Sequence, residues 1–341
     1  MARDVDWLLF IVAILIPSAG AAQGPPKVAS LGSCQLISGA TIPACRVAYR
    51  TFGQLNASRD NTVLIPTWLL GRSEEWVPLL GMKGILDTTE FHVVVVDALA
   101  NGMSSSPSNT AARSRRVFAG LTLGDMVVSQ RRLLREHLHL DHLRAVMGFS
   151  MGGMQAFEWA VRYPDELDMA ISIAGSPKVG TYDRVMWSKY VAEIQRGRQA
   201  RMKPEEIWNE ISHLESLVLR TPAAVNQESW DSIMAQIHSE AETLAKTWSL
   251  DDLDAQLRAI RRYDVSEATG GNLSKAALAV RARMLIISSP QDHIVTSESG
   301  QAFADLVHAR TLSLTGNCGH VALWCERPAV AAAIKDFVSR N

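Results

Sequence analysis

Leu143-Arg-Ala-Val-Met-Gly-Phe-Ser150-Met-Gly-Gly-Met-Gln-Ala-Phe-Glu-Trp-Ala-Val-Arg-Tyr-Pro164 reads as a buried strand turning abruptly into a helix. Apolar Ala145 to Met147 precede Gly148-Phe149-Ser150-Met151-Gly152, and a helix-compatible run to Tyr163, stopped by Pro164, follows it. Ser150 stands at the apex. Such a turn forces the serine into a strained backbone conformation, and a side chain at either flanking glycine would collide with the neighbouring strand or helix. A G-x-S-x-G pentapeptide alone arises often by chance. The strand before it and the helix after it make this one a nucleophile elbow that exposes a hydroxyl.

Working outward, Cys45-Arg-Val-Ala-Tyr-Arg-Thr-Phe52 is a candidate early strand, Thr62-Val-Leu-Ile-Pro-Thr-Trp-Leu-Leu70 a buried one, and Phe91-His-Val-Val-Val-Val-Asp97 another with a continuous β-branched centre. Runs apolar on both sides suit a parallel sheet covered on both faces. Asp125 is expected to cap a helix whose apolar positions Met126, Val127, Leu133, Leu134 and Leu138 recur at helical spacing. Ala170-Ile-Ser-Ile-Ala174 and Met284-Leu-Ile-Ile-Ser288 continue the strands, and a short one is expected over Thr311 to Leu314. From Thr181 to Asn272 the chain is rich in Glu, Arg, Trp, Ala and Leu with helical periodicity and no strand-like run. The expected class is therefore α/β: a mostly parallel central sheet flanked by helices over 23–180 and 273–341, with a helical cap inserted at 181–272.

The chain has 341 residues, 47% of them hydrophobic and 20% charged, with a formal net charge of -1. It can bury a substantial core and carries no global field to attract nucleic acid. At the amino terminus Arg3 precedes the apolar run Trp7 to Ile16, and small residues follow to Ala22. The run is short for a bilayer, and Ala19-Gly-Ala21 offers a small-x-small cleavage site, so residues 1–22 are expected to be a removed signal peptide and the mature protein exported, without stable membrane insertion. Asp4 and Asp6 depart from the usual positive leader; the alternative is an uncleaved anchor. Cys34 with Cys45 and Cys318 with Cys325 each close a short loop if the compartment is oxidising, and stay unpaired in a reducing one. Their spacing suits no zinc site, so no metal is expected.

A serine hydroxyl is a poor nucleophile at neutral pH and needs a histidine to take its proton and an acid to orient that histidine. Asp292 lies in Ser288-Ser-Pro-Gln-Asp292, directly after a late buried strand, where a loop at the carboxyl edge of the sheet overhangs the serine. The rival strand end at Ala174 is followed by Gly175-Ser176-Pro177 and offers no carboxylate. Of nine histidines, His137, His139 and His142 fall in or just after an amphipathic helix, His213 and His238 in the cap, His308 in a helix, and His293 is too close in sequence to Asp292 to be oriented by it. His320, in the glycine-rich loop Gly316-Asn-Cys-Gly-His320, is the expected base. Charge developing on the carbonyl oxygen requires backbone donors: the amide of Met151 and one from Trp68-Leu69-Leu70-Gly71, with Leu69 preferred and Trp68 the rival.

Leu123-Gly-Asp-Met-Val, Val146 to Asp165, and Tyr49-Arg-Thr-Phe-Gly-Gln-Leu-Asn-Ala-Ser-Arg-Asp-Asn-Thr-Val-Leu64 resemble the homoserine O-acetyltransferase family of the α/β-hydrolase fold, from about Ala48 to the end. In that family the matching serine is acylated by acetyl-CoA and the acyl group passes to homoserine, so the resemblance implies the same Ser150, Asp292, His320 triad. After the strand ending at Asp97, however, the transferases carry a G-G-C-x-G-[ST]-T-G-P loop. Here Ala98-Leu-Ala-Asn-Gly-Met-Ser-Ser-Ser-Pro-Ser-Asn109 stands in its place and looks more like the loop of hydrolases that branch from the family. Export also favours water as acceptor, because acetyl-CoA is cytosolic. The expected function is hydrolysis of a small carboxylic ester without cofactor. Acyl transfer from acetyl-CoA is the alternative, in which Arg113, Arg115 and Arg116 would grip the CoA phosphates; a solvated basic loop is the plainer reading of these arginines. Trp187, Trp208, Trp230 and Trp248 are expected in the core of the cap, or else along a substrate pocket. A binding protein on an inactive scaffold is disfavoured by the presence of all three catalytic residue types. The sequence is compatible with a monomer or a homodimer.

Overall fold

The computed structural model describes residues 24–339; the expected signal peptide lies outside the described residues. Eight strands form one sheet: β1 (Lys27–Ser30), β2 (Arg46–Phe52), β3 (Thr62–Pro66), β4 (His92–Val96), β5 (Leu143–Phe149), β6 (Leu167–Ile173), β7 (Arg283–Ser288) and β8 (Arg310–Ser313). Their spatial order is β1-β2-β4-β3-β5-β6-β7-β8. β1 and β2 run antiparallel to their neighbours and β4 through β8 pair in parallel. The run Val93 to Val96 is wholly buried, as a strand covered on both faces must be. After β3 the chain moves to one side, to β4, and after β5 to the other, to β6. The crevice beyond the carboxyl ends of β3 and β5 is thus the topological switch point, where open sheets bind ligands.

Helix α1 (Leu123–Arg132) packs on α2 (Met151–Arg162), and α2 lies against β3, β5 and β6. The inserted segment after β6 carries five helices: α3 (Thr181–Gln199), α4 (Pro204–Val218), α5 (Pro222–Val225), α6 (Trp230–Thr247) and α7 (Leu250–Arg261). Pro204 and Pro222 stand in the first turns of α4 and α5, where no amide is needed, and Ser229 and Ser249 cap α6 and α7. After this segment follow α8 (Leu273–Ala277), α9 (Glu298–Val307), α10 (Ala322–Cys325) and α11 (Arg327–Ser339).

Several boundaries differ from the sequence reading. β3 stops at Pro66, not Leu70: the next four residues turn out of the sheet, and their apolar side chains are buried there. Thr122, not Asp125, caps α1. The Thr122 hydroxyl accepts from the Asp125 amide at 3.1 Å, while the Asp125 carboxylate accepts from the Thr122 amide at 2.8 Å, a capping box that starts the helix earlier. His308 lies just past α9, at φ 52°, and ends the helix in the left-handed conformation. β1 and the small hairpin of Cys34–Gln35 with Thr41–Ile42 have no counterpart in the expected strands, being too short to show a period. Both cysteine pairs are bonded, Cys34 to Cys45 and Cys318 to Cys325. Trp187, Trp208 and Trp248 are buried as expected of a cap core, but Trp230 is 75% exposed at the start of α6.

Inside the cap Tyr190 of α3 and Glu215 of α4 are buried, with Glu240 of α6 beside them; the Tyr190 hydroxyl and one Glu215 oxygen have no hydrogen-bond partner among the described residues. Burial drives the Tyr190 and Glu215 protons to be held well above their usual range and pushes the Glu240 carboxyl up to about 7, against the opposing pull of Arg220. A carboxyl raised on folding contributes stability that is fully present below its unfolded pKa and is lost as pH rises through the folded one. Thermal melting of the mature protein should therefore fall by several °C, on the order expected for about 1–3 kcal/mol, between pH 5 and 8, and Glu240→Gln should flatten that slope. Equal slopes for the two proteins would rule out this ionisation.

Candidate active site

β5 delivers the chain into Ser150 at φ 54° and ψ −121°, a left-handed conformation that costs a non-glycine residue about 1–2 kcal/mol. The Ser150 amide donates to the Ile173 carbonyl at 2.8 Å and its carbonyl accepts from Met154 at 3.0 Å, which holds it there. A Cβ at Gly148 would lie 2.2 Å from the Gly152 backbone, and one at Gly152 would lie 2.4 Å from the Pro66 carbonyl oxygen. Both glycines are therefore obligatory. The second contact brings the start of α2 directly against the end of β3.

Ser150, Asp292 and His320 are brought into one hydrogen-bonded chain. His320 Nε2 is 2.9 Å from Ser150 Oγ, and His320 Nδ1 is 2.7 Å from Asp292 Oδ2. The other carboxylate oxygen, Asp292 Oδ1, accepts from the amides of Ile294 and Val295 at 2.8 and 2.9 Å, so its orientation is set by the backbone just after β7. All three side chains are at most 8% exposed, which strengthens each bond and keeps the imidazole from rotating into water. His320 sits in a tight turn, Gly319–Val321, and its amide donates to the Leu219 carbonyl of the cap at 3.0 Å.

One aromatic ring, Phe149, stands against the imidazole, and the indoles of Trp68 and Trp324 pack behind it; the sequence reading placed only the Trp68 backbone near the site, as a rival oxyanion donor. Phe149 lies 5.0 Å from the His320 ring, and Trp324 and Trp68 pack edge-on against Phe149 at 4.8 and 5.8 Å. Phe149 was legible as the variable residue of the elbow, since it directly precedes Ser150. Trp324 carries no sequence signal of this kind, because only the fold of the His320 loop brings it here.

The loop after β3 forms a turn in which the Gly71 amide donates to the Trp68 carbonyl at 2.9 Å and Leu70 adopts φ 56°. The Thr67 amide donates to the Val96 carbonyl and the Leu70 amide to Gln256 Oε1. The amides of Trp68, Leu69 and Met151 are the candidate donors to an oxygen bound at Ser150. The peptide that carries the Leu69 N–H also carries the Trp68 carbonyl, and pinning one end of a planar trans peptide aims the other. Behind the turn, Asn101 Nδ2 donates to the Gly71 carbonyl at 2.8 Å and Asp97 Oδ1 accepts from the Ser73 amide at 2.8 Å; burial pushes the Asp97 carboxyl up.

The serines after Asp97 face inward. Ser104 Oγ accepts from the Ala48 amide and Ser105 Oγ from the Arg46 amide, both at 2.9 Å, so these hydroxyls brace β2. Ser108 donates through its amide and its hydroxyl to the Asp252 carboxylate of α7, whose pKa burial raises to about 6. Arg113, Arg115 and Arg116 are exposed. Of the other histidines, His142 pairs with Asp168 at 2.8 Å and His213 with the Asn209 carbonyl at 2.8 Å, away from Ser150.

A family model described as alpha/beta hydrolase fold matches residues 61–326. A probable esterase of Corynebacterium glutamicum is 32% identical over 285 residues, covering 79% of this chain and 82% of that one. The crystal structure of an acetylester hydrolase from Corynebacterium glutamicum superimposes with a TM-score of 0.86 at 28% identity, over 93% of this chain and 97% of that one. A homoserine O-acetyltransferase of Leptospira biflexa is 25% identical over 92% of this chain and 93% of its own.

Gly152→Ala tests the packing that assembles this site. The added methyl must push α2 from β3, at a cost of about 1–3 kcal/mol, so the melting temperature should drop and Ser150 should label more slowly with a fluorophosphonate probe. A variant matching the parent in both measurements would show that the contact is slack.

Proposed function

The chain belongs to the α/β-hydrolase fold family, and from that premise we propose that it is a serine esterase acting on a small carboxylic ester through an acyl-enzyme on Ser150. The observation that carries this reading is the buried relay from Asp292 through His320 to Ser150 Oγ, at 2.7 and 2.9 Å. As Oγ attacks the ester carbonyl, His320 Nε2 takes its proton, and Asp292 stabilises the resulting imidazolium. The charge that builds on the carbonyl oxygen meets the amides of Met151, at the positive end of α2, and Leu69. Collapse expels the alcohol, which takes the proton from His320. Water then enters and attacks the acyl-enzyme as His320 takes its proton; the second tetrahedral intermediate collapses, the acid leaves, and His320 returns that proton to Ser150 Oγ.

Two features support water over an alcohol acceptor and a short acyl group over a long one. The loop that differs from the transferases, Ala98 to Asn109, spends its serine hydroxyls on β2 and α7. Phe149 lies beside the imidazole, and Trp68 and Trp324 pack against Phe149 and against each other, which makes this side of the site a closed aromatic wall. The names of the esterase relatives point the same way, whereas the transferase relative keeps acetyl transfer as the second reading.

Ser150→Ala should lower hydrolysis of a chromogenic acetyl ester by about 10⁴-fold or more, and Asp292→Asn by on the order of 10³- to 10⁴-fold. Undiminished turnover by Ser150→Ala would remove the mechanism. Supplying acetyl-CoA with homoserine beside the acetyl ester in water separates the two acceptors: substantial O-acetylhomoserine by mass spectrometry would establish the transferase instead.

Export after removal of residues 1–22 belongs to the same proposal and is supported by the two disulfides. Intact mass of protein recovered outside the cytoplasm should begin near Ala22 or Gln23 and lack four thiol hydrogens. Recovery of the reduced full-length chain from the cytoplasm alone would overturn it.

A further inference from the structure

His320 is carried by the segment 314–326, which leaves β8 and returns at the start of α11. Gly316 and Gly319 stand in it, Gly319 at φ 61°, and glycine leaves a chain more backbone freedom than any other residue. The base on this segment must nevertheless meet Ser150 Oγ and Asp292 Oδ2 at once, at 2.9 and 2.7 Å.

Two rungs close the neck of the loop. The Gly316 amide donates to Glu326 Oε1 at 2.9 Å, a partly buried bond, and the Cys318–Cys325 disulfide lies just inside it. The bridge encloses 319–324, the stretch that carries both His320 and Trp324. Trp324 packs edge-on against Phe149 at 4.8 Å, and Phe149, directly before Ser150, faces the imidazole at 5.0 Å. One closed piece of chain thus bears the base and the ring that seats it against the elbow. Its backbone is also tied to the cap, through the Leu219 carbonyl and Thr221. The disulfide ties it to the core instead, because Cys325 leads into α11, where Arg327 donates to the Pro78 carbonyl at 2.7 Å and Val330 and Ile334 are fully buried. Opening the bridge leaves the neck to the Gly316 bond, which exchanges with water at little net cost.

We infer that the Cys318–Cys325 disulfide is a positioning element for the catalytic base, holding His320 in register with Ser150 and Asp292. The inference rests on the esterase reading above. Proton transfer from Oγ requires the imidazole within hydrogen-bond reach, so a loop divided between seated and unseated forms would turn over only in its seated fraction. The bridge carries neither the nucleophile nor the oxyanion donors, so substrate binding should survive its loss.

The other disulfide supplies the control. Cys34–Cys45 joins residues 11 apart, against 7 for Cys318–Cys325, but lies beside β1 and β2, at the opposite edge of the sheet from β8. Loss of either bridge should lower the melting temperature; only loss of Cys318–Cys325 should reach catalysis. Assayed well below both melting temperatures, Cys318→Ala/Cys325→Ala should show a kcat for the acetyl ester about 10- to 100-fold lower, with KM held within about 3-fold. The downfield proton resonance of the His320–Asp292 bond should broaden with it. Cys34→Ala/Cys45→Ala should keep kcat within about 2-fold and that resonance sharp. Equal kcat in the two double variants, or an unchanged kcat without the Cys318 bridge, would overturn the inference. Should Cys318→Ala/Cys325→Ala fail to fold, the bridge can be opened in place: in Cys34→Ala/Cys45→Ala, dithiothreitol gives two electrons and two protons to Cys318–Cys325 and closes to its own cyclic disulfide. A kcat that falls as the two thiols appear and returns on reoxidation supports the inference; an unchanged kcat with both thiols counted overturns it. Ser150→Ala, assayed alongside, separates the two levels. Retained activity there sinks the esterase reading itself, whereas a dead Ser150→Ala beside an unaffected Cys318→Ala/Cys325→Ala sinks only the role of the bridge.

Discussion

The close approach of α2 to the end of β3, with Gly152 beneath the Pro66 carbonyl, is the contact on which the rest of the site depends. It exists because no side chain intervenes, and it has three consequences at once. It steers the chain through the left-handed Ser150 and lifts the hydroxyl above the sheet edge. It places the Met151 amide at the first turn of α2, where the helix leaves amides unpaired. It also brings the start of the Trp68–Gly71 turn, which carries the proposed Leu69 donor, against the first turn of α2. A parallel sheet at its switch point supplies the crevice in any case; the glycine contact sets how closely α2 approaches β3 there.

The cap reaches each of the loops that bear functional groups. The Leu219 carbonyl takes the His320 amide, and Thr221 bonds to Asn317 in the same loop. Asp183 of α3 accepts from the amide and hydroxyl of Thr296, just beyond Asp292, at 3.3 and 3.2 Å. Gln256 and Trp248 grip the turn after β3, and Asp252 grips Ser108 in the loop after β4. These ties are hydrogen bonds between partly or fully buried groups, so separating cap from core would leave polar atoms without partners as well as exposing apolar surface. The helical insertion therefore acts on geometry as well as enclosure: the relative placement of His320, Asp292 and the turn after β3 depends on where the cap sits.

The elements with strong local signals were legible in the sequence. The continuous apolar runs of β4 and β5, the glycines around Ser150, and the Ser, Asp, His order depend on residues close together or on a topology that leaves few choices. Asp292 and His320 were identifiable because each follows a strand at the carboxyl edge of the sheet, where a side chain has few other things to face. What was not legible depends on long-range packing. Trp68-Leu69-Leu70 extends an apolar strand pattern, and the partners that receive Leu70 outside the sheet, Gln256 and Trp248, lie far away in sequence. Gln256 sits in an ordinary amphipathic helix, and nothing in its neighbours announces that it reaches Leu70, 186 positions away. Trp324 enters the site through the fold of a disulfide-bonded loop. The start of α1 was misplaced because Thr122 and Asp125 are both capping residues, and the reciprocal bond between them decides which one stands outside the helix.

Backbone strain is distributed unevenly, and its location has a functional reading. Among the described residues, non-glycine positions with positive φ include Leu70 after β3, Ala100 after β4, Ser150 after β5 and Ala174 after β6, at 56°, 66°, 54° and 48°. Four adjacent strands are thus each followed, within four residues, by a non-glycine residue at positive φ. None of the four is free to relax: the Leu70 amide is held by Gln256, Ala100 by the Ser105 carbonyl, Ser150 by Ile173 and Ala174 by Ile287. Each is also buried, so leaving the strained state would break a desolvated hydrogen bond that costs about as much as the strain itself. The rim is therefore held in shape before a substrate arrives. For a reaction whose barrier is lowered by dipoles aimed at a charge not yet present, that prior rigidity is what the strain secures.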